Sequence, residues 1–396
     1  MKIQRAAISV AIAGVLASSA AIADDKYDDD YGRSIPSVVV TVENGAPSRG
    51  AVQTPVWVGI HDGSFDLYDR NVPLGAEGLV AAPAVERLAE DGATGPLSDA
   101  FAGTLPNAPQ TTIFGPTGPL VPGDRGATTL QVDPANDRFF SYASMVVPSN
   151  DAFIANGSPV AHELFNERGR FVGTRFAVAG TEVLDAGTEV NDEVAGNTAF
   201  LAQAAPDTGI TEQLGVVLHE GFRRDVAFPD GVLSQPIFAL ADFLAPTYRA
   251  AEFSFRYVDL GRTTRFRSAL KASNEVSAEL VDSNGRGNAE LISSNGESLE
   301  VEIDFRRTTG PVIMAHLHFG QEGTNGPVVA NLTPGVSGNK VRATISRYDV
   351  VGPLAEGDDP YLNLLNELAA GNIYINLHTA ANPAGELRGQ VSLRGN

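Results

Sequence analysis

The sequence predicts an all-β protein built as two β-sandwich domains with a few short helices. From residue 37 onward the chain falls into short alternating or apolar runs, punctuated by Gly, Pro, Asn and Asp, as strands joined by turns require. Its 396 residues are long for one core and suit two. There is no cysteine, so burial rather than disulfides must hold the fold, and thiolate catalysis and thiolate metal sites are excluded.

In chain order, "MKIQRAAISVAIAGVLASSAAIADD" carries Lys2 and Arg5, a short apolar run, and small residues ending in Ala21-Ile22-Ala23. That is the pattern of a secretory signal cleaved after Ala23, and it predicts a secreted, periplasmic or cell-surface protein. The run is too short for a bilayer span, and no later stretch approaches that length, so no transmembrane segment is expected. Residues 24–36 form an acidic leader ending in Pro, expected to be disordered.

Strands are expected from "SVVVTVENG" through "TPVWVGIHDG", "FFSYASMVVPSNDAF", "FVGTRFAVAGTEV" and "AEFSFRYVDL" to "LEVEIDF", "KVRATISRYDV", "NIYINLH" and "ELRGQVSLRG". A Pro/Gly-rich stretch, about 97–135, reads as a long loop inside a first domain at 37–245. The second domain spans 265–394, with the junction between about 245 and 264. Two helices interrupt the strands. "APAVERLAEDG" sets Val85 and Leu88 on one face and stops at Gly92, while "DDPYLNLLNELAAGN" offers Asp359 as N-cap, Pro360 at the first position, Leu364, Leu365 and Leu368 as an apolar stripe, and Gly371 as C-cap.

The formal charge is −20, and loss of Lys2 and Arg5 with the signal takes it to −22. A polyanion of that sign is repelled by phosphate backbones, so nucleic acid is excluded as a partner. Divalent cations suit it, although acidity also serves plain solubility. The G-x-S-x-G elbow, the phosphate-binding G-x-x-x-x-G-K and the dinucleotide fingerprint are absent, and "HELFN" and "HEGFR" lack the second His of a metalloprotease. The sequence therefore leans away from an enzyme.

One acid cluster stands out in the first half. "LDAGTEVNDE" places Asp185, Glu189, Asp192 and Glu193 close together, with Gly187 allowing a sharp turn, and "VPSNDAF" adds Asp151 after a strand. Calcium takes six to eight oxygens, so these carboxylates supply part of a shell; a solvated loop is the alternative. The blocks "TPVWVGIHDGSFDLYDRNVP", "GLVAAPAVERLAEDGATGPLSDAF", "FSYASMVVPSNDAFIAN" and "VLDAGTEVNDE", over roughly 37–235, resemble the spondin N-terminal domain of extracellular matrix proteins. The resemblance implies a C2-like β-sandwich holding calcium through loop carboxylates, with Asp151 and Asp185 at the family's aspartates and Glu189 where an aspartate is common.

In the second half, "VIMAHLHFG" read with period two sends Ile313, Ala315, Leu317 and Phe319 toward the core, and Met314, His316 and His318 to the other side. "NIYINLHTA" sets Tyr374, Asn376 and His378 opposite Ile373, Ile375 and Leu377, and "ELRGQVSL" places Glu386, Arg388 and Gln390 on its polar side. Neighbouring strands in suitable register would gather three imidazoles, a donor set for zinc or copper, with Glu386 as a further candidate. The alternative is a hydrogen-bonded polar face in which His378 orders the following loop. "FRSALKASNEV", "GRGNAELI", "GPVIMAHLHFGQEGTNGPVVANL" and "GNIYINLHTAANPAGELRGQV" resemble the CHRD domain, first defined in chordin, over about 265–394. That resemblance implies an extracellular β-sandwich with a binding role.

Together these features predict a secreted, non-catalytic, calcium-binding interaction or adhesion module of the cell surface or extracellular matrix. Its partner would be an extracellular protein or a polysaccharide. The competing expectation is an exported metal-binding protein or metalloenzyme using the histidines with zinc or copper, and a scaffold without any ion is the third.

Overall fold

The computed structural model describes residues 33–223, 231–277, 281–294 and 296–394. The signal segment 1–23 and most of the leader 24–36 lie outside the described residues. Over the described residues the protein is mostly β, with three short helices: α1 (Ala82–Asp91), α2 (Gly95–Thr104) and α3 (Pro360–Ala370). Among the described residues no helix is long and apolar enough to cross a membrane.

The first half stacks three layers. A four-stranded sheet runs Arg125–Gln131, Pro36–Glu43, Arg249–Asp259, Phe176–Ala179. Its inward residues Val38, Val40, Val42 and Phe253 meet Val56, Val58, Ile60 and Phe140 of a seven-stranded sheet. The far face of that second sheet is covered by α1 and α2, where Phe101 packs edge to face on Trp57 and on Phe65 in one core with Leu88 and Phe153. A sheet covered on both sides needs no polar face, and every residue of the strand Val56–His61 is buried.

Helix α2 lies inside the stretch expected to be loop. Its Pro in the first turn is compatible with helix, and Leu97 and Phe101, one turn apart, are fully buried, so packing against the sheet outweighs its two glycines. Two strands, Gln110–Ile113 and Arg125–Gln131, follow in the same stretch. The strand Arg249–Asp259 occupies most of the expected junction, and it pairs along its length with Pro36–Glu43, so it belongs to the first half's sheet.

The second half is one ten-stranded sheet curled around its own core, sandwich-like. Ala315 and Leu317 from one end share that core with Val301 and Ile303 from the other, and α3 closes it with Leu364, Leu365 and Leu368. The Asp359 carboxylate caps α3 by accepting from Leu362 N at 3.1 Å, and Gly371 ends it in the left-handed region. Ile313 departs from the expected alternation. The pairing register shifts between Val312 and Met314, and this bulge turns Ile313 out to 45% exposure.

Candidate functional site

Two clusters of side chains stand apart from the packing. The first lies where α1 meets the end of the seven-stranded sheet. The short strand Ala152–Ala155 pairs with Leu184–Asp185, with Ala152 opposite Asp185, which brings the two acidic loops side by side. Asp151 is fully buried, and its Oδ2 accepts from Thr188 N at 2.9 Å, Thr188 Oγ1 at 3.3 Å and Glu189 N at 3.1 Å. Its Oδ1 has no hydrogen-bond donor among the described residues. Glu189 is 1% exposed; Oε1 accepts from Gly209 N at 3.0 Å, and Oε2 is likewise without a donor.

Asp185 is placed beside Asp151, but both of its oxygens are engaged in the loop: Gly187 N donates to Oδ1 at 2.7 Å and Asn191 Nδ2 to Oδ2 at 2.6 Å. Asp192 and Glu193 pin neighbouring turns, accepting from Asn197 and from the backbone of Arg223 and Val232. The group whose oxygens come within 4.8 Å of one another is instead Glu90, Glu189 and Asp207. Glu90 and Asp207 escaped the sequence reading. A signal for Glu90 existed: it and Asp91 occupy the last turn of α1, the end where the helix dipole disfavours negative charge. Asp207 carries no comparable signal.

Burial pushes Glu90, Asp151 and Glu189 each up to about 7; Asp185 adds to the rise at Asp151, and Asp151 adds to it at Glu189. Arg87 is shared among Glu90, Asp91 and Asp207. One guanidinium is thus shared among three acids, and negative charge in excess of it develops as the raised acids ionise. The donors are oxygen only, which fits a hard cation such as calcium and suits zinc or copper poorly.

The second cluster sits on the curled sheet. The strands Val312–Phe319 and Ile373–Thr379 pair antiparallel, with Met314 opposite His378, His316 opposite Asn376 and His318 opposite Tyr374. Alternation puts His316 and His318 on one face, and the diagonal neighbour on the next strand is His378. One ring nitrogen from each of the three lies within 4.8 Å of the others, and His316 Nδ1 is 3.3 Å from His378 Nε2. The face is not open to water as its polar composition suggested. His378 is 7% exposed and His316 and His318 are half-buried; Gly326 of the turn 320–327 reaches His318, and Pro383 of the following loop reaches His378.

Backbone carbonyls orient two of the rings. His318 Nδ1 is 2.9 Å from Gly326 O, and His378 Nδ1 is 3.0 Å from Pro383 O. A carbonyl oxygen only accepts, so each Nδ1 carries the hydrogen and each Nε2 keeps its lone pair. His318 stacks on Tyr374 at 4.8 Å, Arg388 lies 3.6 Å over the same tyrosine, and His318 Nε2 has no hydrogen-bond partner among the described residues. Burial lowers His316 to about 4, helped by the neighbouring imidazoles, and it lowers His318 and His378 as well.

Glu386 does not join the imidazoles. It is fully buried and accepts from Ser283 Oγ at 2.6 Å, Thr309 N at 2.7 Å, Thr309 Oγ1 and Thr379 Oγ1 both at 2.6 Å, and Asn382 Nδ2 at 3.2 Å. Burial alone would raise it, but these donors outweigh burial and hold it at about 2. It ties three segments together.

Residues 266–391 match the CHRD domain model. Among curated proteins, none matches the chain.

Proposed function

We propose that this is a non-catalytic interaction module working outside the cell, whose first half is locked in its binding shape by calcium. The strongest support is the burial of Glu90, Asp151 and Glu189, each no more than 1% exposed, with Asp151 Oδ1 and Glu189 Oε2 left without donors among the described residues. Uncompensated buried carboxylates are costly, and a calcium ion is the cation that oxygen donors from a helix end and two loops would hold. Glu90 and Glu189 would be the inner ligands with Asp207 at the rim, Asp151 holding the Glu189 loop through its amides and Asp185 shaping its own turn.

The resemblance of 37–235 to the spondin N-terminal domain and the CHRD match of the second half both favour an extracellular binding role, and the signal-like start favours export. A bound cation in an otherwise anionic protein gives a local positive field to which an acidic group on a matrix protein or polysaccharide can attach. Calcium titration of chelator-treated protein, followed by calorimetry and thermal unfolding, tests the proposal. One calcium per chain with a raised melting temperature is expected, and Glu189→Gln should abolish both. No heat and no stabilisation would refute it.

A further inference from the structure

From the convergence of His316, His318 and His378 we infer a second metal site, for a divalent transition ion of the zinc or copper kind, independent of the calcium cluster. Three neutral imidazole nitrogens within 4.8 Å of one another form a donor set that hard cations decline and borderline ones prefer. A like arrangement is rare by accident. Three polar rings on one buried face would ordinarily pair off with other groups, yet His316 makes its hydrogen bond to His378, and His318 Nε2 makes none among the described residues.

The surroundings are those of an oriented metal site. Gly326 O and Pro383 O each take the Nδ1 hydrogen of one histidine, which fixes the tautomer and points the Nε2 lone pair inward. In the metal-free protein His378 Nε2 then accepts from His316 Nδ1, at 3.3 Å. A cation entering between them would take the Nδ1 lone pair of His316 and the Nε2 lone pair of His378, the His316 hydrogen moving through solvent from Nδ1 to Nε2 so that the ring stays neutral. With three protein ligands, a fourth position remains for water or an external donor. His316 and His318, half-buried rather than sealed, leave the way in from solvent.

The test uses tag-free, full-length exported protein kept in saturating calcium, so that failure of the calcium reading and failure of this one are separated. Zinc chloride titrated by calorimetry should bind at one equivalent per chain, and cobalt(II) should give the visible absorption of a four-coordinate nitrogen and oxygen site. His316→Gln should weaken zinc by about a hundredfold or more, while leaving circular dichroism and the calcium response as they were. His316 is the substitution of choice because its hydrogen bond is to another member of the cluster, whereas His378 and His318 also hold loops. Zinc binding that His316→Gln leaves unchanged, or no zinc heat and no cobalt absorption in the unaltered chain, overturns the site.

Discussion

Gly209 donates its backbone N–H to Glu189 Oε1, and a methyl group on Gly209 would collide with the Glu189 carboxylate on every side. The backbone at Gly209 is not left-handed and the three nearest atoms all belong to Glu189, so Gly209→Ala acts first on that ligand. The expected result is calcium binding weakened by about tenfold, equivalent to roughly 1.4 kcal/mol, with the melting temperature in chelator nearly unchanged. Calorimetry on the two proteins decides it. Glu386 makes the opposite case, a carboxylate whose charge is fully solvated by the protein. Its folded value near 2 lies below its ordinary 4.5, so its stabilisation is complete above pH 4.5 and disappears as pH falls toward 2. Glu386→Gln should therefore cost about 3 kcal/mol at pH 7, with the difference from the unaltered protein in urea unfolding closing between pH 4.5 and 2.

Helices show how local and tertiary signals divide the work. Helix α3 carries its own boundaries: Asp359 satisfies an N-terminal amide, Pro360 occupies the first position, and Gly371 sits at φ 83°, where an alanine is strained. Asp359→Ala and Gly371→Ala should each lower stability by about 1 kcal/mol, read as shifts in denaturant midpoint at constant slope. All three residues were legible in sequence because capping depends on neighbours a few positions away. Helix α2 was not, since Gly95 and Gly103 argue against it locally and the aromatic pocket of Trp57 and Phe65 around Phe101 is what argues for it. The last turn of α1 is intermediate: Glu90 and Asp91 stand at the helix end that disfavours acids, a local oddity that names no partner, and only packing buries Glu90.

Over the whole molecule the two halves share more than a linker. Val39 and Leu260 count among the buried residues of the second core, Asn372 Nδ2 donates to Ala127 O at 3.1 Å, and Thr129 Oγ1 to Asn366 O at 2.8 Å. Across both halves, buried acids and buried histidines respond to pH in opposite directions. Raised acids such as Glu90, Asp151 and Glu189 stabilise the metal-free fold below pH 4.5, and that contribution is lost as pH rises through about 7. Lowered histidines such as His61 and His316, near 4, do the reverse: the unfolded chain binds their protons first, so stability grows between about 4 and 6.5. Total stability against pH therefore hides the acid cluster, and the difference with and without calcium isolates it. That calcium-induced rise in melting temperature should be large at pH 8 and shrink by pH 6, where protons compete for the same oxygens. A rise that does not depend on pH would place the ion elsewhere.

What the sequence by itself determined is everything carried by short-range periodicity and composition: the β class, two of the helices with their caps, the absence of thiol chemistry, the anionic charge, and which faces of the 312–319 and 373–379 strands carry the histidines. Only the tertiary structure decided which chemical groups meet. Strand register placed His378 diagonal to His316, and layer stacking put Glu90 against Glu189. The same contacts assigned Glu386 to a loop clamp and bound Asp185 into its own turn. The physical reason is range. Alternation and capping are settled within a few residues, whereas convergence of donors from segments far apart in the chain depends on burial and pairing that no local pattern encodes.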